Sequence, residues 1–120
     1  MDCPKCDAEQ ELETIRVDDV EVDRCPECEG VWFDPTELGR LLDNDTQKVG
    51  AIMTGDDSAA HDQRVAECPR DGTRLVRVRS IRNSKVVIDT CTQCRGIWLD
   101  GGEFRRIKRE QPGVKLGELV

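Results

Sequence analysis

Two copies of one cysteine pattern run through the 120-residue chain, and they differ at a single ligand-type position. The first copy reads Cys3-Pro4-Lys5-Cys6, eighteen residues, then Cys25-Pro26-Glu27-Cys28-Glu29-Gly30-Val31-Trp32-Phe33-Asp34-Pro35-Thr36-Glu37. The second reads Cys68-Pro69-Arg70-Asp71, nineteen residues, then Cys91-Thr92-Gln93-Cys94-Arg95-Gly96-Ile97-Trp98-Leu99-Asp100-Gly101-Gly102-Glu103. All seven cysteines fall inside this register, and Asp71 stands where the first copy has Cys6. Paired cysteines repeated in this way point to two small modules, each closed by its own set of sulfur ligands.

A Cys-x-x-Cys turn lets two thiolates converge on one ion while backbone N–H groups point at the sulfurs. Two such turns at the ends of a hairpin supply four ligands at about 2.3 Å, which closes a tetrahedral structural zinc site. Proline after the first cysteine fixes φ and stiffens the turn. Cys3, Cys6, Cys25 and Cys28 therefore form the expected first site. Disulfides are the competing use of these thiols. No signal peptide precedes Cys3, and no apolar run approaches the roughly 20 residues of a membrane span, so a reducing cytoplasmic setting is expected. Neither a βαβ context nor a single reactive pair suggests thioredoxin-like chemistry.

Only four residues are aromatic, and each repeat is about fifty residues long, where a hydrophobic core alone is marginal. Metal then does part of the work of a core, and binding energy becomes folding energy. Between the ligands, Leu12 to Val17 and Val20 to Asp23 flank Asp18-Asp19 and alternate apolar with polar, as a half-buried hairpin does. Leu75 to Ile81, a turn near Asn83-Ser84, and Val86 to Asp89 repeat the pattern. Val31-Trp32-Phe33 and Ile97-Trp98-Leu99 read as third strands whose tryptophans cover the metal-bearing hairpins.

Asp34-Pro35-Thr36-Glu37 then carries the signature of a helix start: an N-cap acceptor, a proline at the first position and a Glu three residues past the cap. The helix it opens holds Leu38, Leu41 and Leu42. Asp100-Gly101-Gly102-Glu103 makes a poorer version of the same start, ahead of Phe104 and Ile107. Capping is the expected job of Asp34, Glu37, Asp100 and Glu103, rather than acid/base catalysis. The fold class expected is small, metal-stabilised and β-rich: tandem zinc ribbons, each a knuckle-bearing hairpin plus a third strand followed by a short helix. The first ribbon spans 1–43, a linker 44–66 with one helical turn near Val49 to Met53, the second ribbon 67–111, and a tail 112–120. Separate ligand sets and an intervening linker predict that Cys25→Ser unfolds the first repeat and leaves the second folded.

The run Cys-Pro-x-Cys, a gap near twenty, then Cys-x-x-Cys-x-Gly-(Val/Ile)-Trp-(Phe/Leu)-Asp-x-x-Glu resembles the transcription factor zinc-finger, or TFIIB-type zinc-binding, family. The resemblance covers both copies, approximately 3–39 and 68–107. It implies a zinc-binding module, with a link to transcription through similarity to the ribbon of a general initiation factor that contacts RNA polymerase. Carried over by position, the ligands would be Cys3, Cys6, Cys25, Cys28, Cys68, Cys91 and Cys94, giving two Zn²⁺ per chain. Asp71 departs from the pattern. Three readings of the second site are open: Asp71 ligates zinc through a carboxylate oxygen; Asp71-Gly72 is only a turn, with water or His61 as the fourth ligand; or the second copy has lost metal. An open position on three cysteines would suit a catalytic zinc, but no motif supplies a pocket and a general base, so no enzyme is expected.

Charge separates the copies. Residues 1–60 hold 17 Asp and Glu against 5 Lys and Arg, and residues 61–120 hold 8 against 13, which gives −12 and +5 and sums to the net −7. Arg77 and Arg79 alternate with Val76 and Val78, and Arg74, Arg82, Lys85, Arg105, Arg106, Lys108 and Arg109 extend the basic surface. A protein partner with an acidic surface is the favoured reading. Sequence-nonspecific nucleic-acid binding through Arg74, Arg77, Arg79, Arg82 and Lys85 is the alternative. No spare aromatic exists to stack bases, and the acidic half repels phosphate. The low-lysine acidic balance resembles that of proteins from salt-loving organisms, whose medium would screen phosphate contacts.

Overall fold

The computed structural model describes residues 1–6, 10–17, 19–42, 50–53, 55, 66–79 and 87–110. Two-residue periodicity becomes strands where expected. β1 (Glu13–Val17) and β2 (Val20–Arg24) form the first hairpin, followed by β3 (Val31–Phe33) and helix α1 (Glu37–Leu42). A 3₁₀ turn occupies Gly50–Ile52, where one helical turn is expected. β4 (Val76–Arg79), β5 (Val87–Thr90), β6 (Ile97–Leu99) and helix α2 (Glu103–Glu110) repeat the order. The turn near Asn83-Ser84, together with His61, Arg82, Lys85 and the tail 112–120, lies outside the described residues.

The six strands form one antiparallel sheet in the order β1-β2-β3-β6-β5-β4. Its centre is the β3–β6 pair, in which Trp32 stands opposite Trp98, Val31 opposite Leu99 and Phe33 opposite Ile97. The repeats are thus joined strand to strand about an approximate two-fold axis. This differs from the sequence expectation of two modules separated by a linker. The physical reason lies in three-residue strands that are apolar on both faces: Val31, Trp32 and Phe33 are all buried, and no face of a lone ribbon could cover them all.

Alternation along the strands sends side chains to opposite faces. One face carries the apolar core, to which both repeats contribute: Val20, Val22, Val31, Phe33, Leu38, Leu41 and Ile52 meet Ile88, Leu99, Phe104 and Ile107. Phe33 and Phe104 stack with centroids 6.0 Å apart, pinning α2 of one repeat over a strand of the other. A second cluster gathers Trp32, Trp98, Leu12, Leu75, Ala66 and the cysteines. Metal supplements this shared core rather than replacing it.

The two tryptophans interlock across the seam. A Cβ placed on Gly30 would collide with the Trp98 ring, and one on Gly96 with the Trp32 ring. Each repeat therefore needs glycine two residues before its own Trp so that the other repeat's indole can lie flat on its backbone. The helix starts also differ from the sequence reading. Thr36 takes φ 78° at the position where the second copy has Gly102 at φ 88°. Left-handed backbone suits glycine, so Asp100-Gly101-Gly102-Glu103 is the less strained of the two starts, not the poorer one.

Candidate metal centres

Each site is assembled from two tight turns at one end of its hairpin. In the first knuckle of the first repeat, Cys3 N–H donates to the Gln10 carbonyl, and in the second knuckle Cys25 N–H donates to Gly30 O while Glu29 N–H returns to Cys25 O. The second repeat copies this with Cys68 N–H to Thr73 O, Cys91 N–H to Gly96 O and Arg95 N–H to Cys91 O. Glu29 and Arg95, at φ 63° and 65°, make the same left-handed step out of the knuckle. Backbone N–H groups aim at the sulfurs: Cys28 N and Cys94 N approach Cys25 Sγ and Cys91 Sγ at 3.4 Å, as do Arg70 N to Cys68 Sγ and Gln93 N to Cys91 Sγ. Such donors stabilise thiolate charge.

The spacing between donors tests the metal. Four sulfurs at about 2.3 Å from a tetrahedral ion lie about 3.8 Å from one another. Cys3 Sγ and Cys28 Sγ are 3.7 Å apart, and so are Cys6 Sγ and Cys25 Sγ. That distance is far beyond the roughly 2.05 Å of a disulfide, and all seven cysteines are free. A sulfur and a carboxylate oxygen on the same ion should lie about 3.5 Å apart. In the second group, Cys68 Sγ and Cys94 Sγ are 3.7 Å apart, and Cys91 Sγ lies 3.6 and 3.4 Å from the two Asp71 oxygens. Cys3, Cys6, Cys25 and Cys28 form one four-donor group; Cys68, Asp71, Cys91 and Cys94 form the other. Both donor sets fit zinc.

Crowding several thiols without a cation is electrostatically costly. Burial pushes the Cys6 thiol up to about 12, with the neighbouring sulfurs of Cys28 and Cys25 adding to the rise, and burial does the same to Cys68, also to about 12. A divalent ion offsets that cost by pairing with the thiolates. Asp71 is the exposed member of its group. Its Oδ1 accepts the Thr73 N–H at 2.9 Å, an Asx turn that also holds the carboxyl below its usual range, and Gly72 follows at φ 78°. Turn residue and site member are thus one and the same. The turn fixes Oδ1 and leaves Oδ2 nearer to Cys91 Sγ.

Sequence reasoning missed what the basic residue inside each first knuckle does. Lys5, whose side chain is fully shielded from solvent, places Nζ 3.1 Å from Asp89 Oδ2 and 3.6 Å from Asp100 Oδ2, both in the other repeat. Arg70, at the matching position, donates from Nε and a terminal nitrogen to the two oxygens of Asp34 and lies 3.9 Å from Asp23. Each first knuckle is therefore held by a pair of carboxylates from the opposite repeat, one on its hairpin and one just past its third strand. Burial raises Asp89 to about 6, with the Lys5 ammonium pulling it back down. The capping role expected of Asp34 and Asp100 is taken only in part: their carboxylates accept the Trp32 and Trp98 indole N–H at 3.1 and 2.8 Å, while Glu37 and Glu103 reach back to the Asp34 and Asp100 backbone N–H at 2.7 Å. The visible signal was a basic residue at the same knuckle position in both copies.

A duplicated hairpin with knuckles at one end, a third strand and a short helix, each carrying a tetrahedral donor set, defines a tandem zinc ribbon. The chain belongs to the transcription factor zinc-finger family, whose pattern it matches twice, over residues 2–44 and 67–110. Searches of curated proteins and of solved structures returned no match.

Proposed function

We propose that the chain is a non-enzymatic, cytoplasmic interaction module, with a role linked to transcription, that contacts an acidic protein surface through its second repeat. Zinc at two sites serves structure, with Asp71 as fourth ligand of the second. One observation carries the reading: the basic strand β4 has all four of its residues exposed, at the rim of a sheet whose two faces are otherwise occupied by core and metal centres. Arg74, Arg77 and Arg79 are exposed there. The non-enzymatic reading is supported by ligand sets that are complete from side chains alone, which leaves no coordination position for substrate. No helix among the described residues is long and apolar enough to cross a membrane.

Nucleic-acid binding is the second reading, favoured by the same arginines. Salt separates the two, because phosphate neutralisation gives a linear fall of log affinity with log salt. The test measures binding of the zinc-loaded chain to polyglutamate and to duplex DNA across a salt series. Preference for polyglutamate is expected. Tighter binding to DNA with a steep linear salt slope would refute the protein-contact reading.

A further inference from the structure

We propose that β4 is a docking edge to which an extended acidic segment of another protein adds as a further strand. This inference rests on the interaction reading above and specifies its geometry. Among the described residues the sheet ends in two edge strands, β1 and β4, and they are unlike. On β1, Val17 is buried and Ile15 packs against the core. On β4, Val76, Arg77, Val78 and Arg79 are all exposed, and Val76 and Val78, at 45% and 39%, are the exposed large hydrophobics among the described residues.

An edge strand offers backbone N–H and C=O groups to any chain that can lie alongside it, and natural proteins ordinarily blunt such edges with charge. Arg77 and Arg79 discriminate among possible occupants. Two copies of β4 placed side by side would bring arginine against arginine, which disfavours self-pairing. Nucleic acid would use the arginines but not the valines, and the four aromatic side chains that could stack bases, Trp32, Phe33, Trp98 and Phe104, are buried. A strand alternating carboxylates with β-branched residues satisfies both faces: acids opposite Arg77 and Arg79, apolar groups beside Val76 and Val78. Arg74, exposed just before the strand, extends the charge match.

The test uses the full zinc-loaded chain, isotope-labelled, and three probes: a capped peptide of about ten residues alternating Glu and Val, its Lys-Val counterpart, and a short DNA duplex. The Glu-Val peptide is expected to shift the amide resonances of Val76 to Arg79 saturably and to slow their hydrogen exchange. Arg77→Glu/Arg79→Glu should weaken it about tenfold or more and create affinity for the Lys-Val peptide, as reversal of two cross-strand charge pairs requires. Both side chains are exposed, but Arg77 stands opposite Asp89 in the β4–β5 ladder, so unchanged resonances of the first repeat are required as the check that the double variant keeps its fold. Shifts elsewhere that the double substitution leaves unaltered would overturn the docking edge while leaving the interaction reading intact. Engagement of the same amides by DNA, with no response to the Glu-Val peptide, would overturn both. Absence of response to either peptide, or dimerisation through β4 in sedimentation, would overturn the docking edge.

Discussion

Replacing Lys5 by methionine should destabilise the protein far more than the matching change at Arg70, although the two residues occupy equivalent knuckles. Lys5 is wholly shielded between Asp89 and Asp100, whereas the Arg70 side chain is 45% exposed beside Asp34 and Asp23. Removing one partner of a buried ion pair leaves an uncompensated charge in low dielectric, at a cost of about 3–5 kcal/mol. Removing the partner of an exposed pair costs about 1 kcal/mol or less, because water takes its place. Urea unfolding of the zinc-loaded protein, followed by tryptophan fluorescence, reads the difference. With a slope of about 2 kcal/mol per molar, Lys5→Met should lower the midpoint by about 2 M and Arg70→Met by about 0.5 M or less. Zinc content must be equal in the samples compared, since both residues lie between ligand positions. Adding Asp89→Asn to Lys5→Met should recover part of the loss by removing one stranded charge. Equal costs at the two positions, or no recovery in the double variant, would refute the argument.

Cys25→Ser should disorder both repeats rather than the first alone, since β3 and β6 share the seam and the core; an amide spectrum that keeps a folded second repeat would count against this. A chelator titration should strip one ion before the other, with the second site yielding first because a carboxylate replaces a thiolate that zinc prefers. Asp71→Cys should then raise the affinity of the site released first, and simultaneous loss of both ions, or unchanged retention in Asp71→Ala, would refute the assignment. Gly30→Ala and Gly96→Ala each force a methyl into an indole of the other repeat and should cost about 1–3 kcal/mol, read as a lowered melting temperature; an unchanged melt would mean that the tryptophans are free to shift.

The hairpins, third strands, the Glu of each helix start and the donor sets were legible because each depends on residues close in sequence: cysteine spacing, alternation around Asp18-Asp19, and a Glu three residues beyond an Asp. The join between repeats was not, since strand pairing leaves no local periodic mark. The continuous apolar triplets Val31-Trp32-Phe33 and Ile97-Trp98-Leu99 did carry it, as strands buried on both faces belong in the middle of a sheet. Lys5 and Arg70 carry no local signal of a partner, and Asp34 and Asp100 read as caps, because local rules assign a charged residue to its nearest backbone. Their partners lie in the other repeat, and only the sheet brings them together. The second-site aspartate was legible as an anomaly but not as a geometry, since an Asx turn and a ligand place the same residue type at the same position.

The β3–β6 seam has the form of a contact between two identical subunits, written into a single chain. In a symmetric homodimer every interfacial residue serves twice, so a change at one position alters both halves at once. Covalent fusion releases that constraint. One knuckle can bury a lysine while its counterpart exposes an arginine, one site can keep four sulfurs while the other admits an oxygen, and one half can turn acidic while the other turns basic. The first half then supplies the permanence of a dimer partner, always present at fixed stoichiometry, and the second is free to specialise.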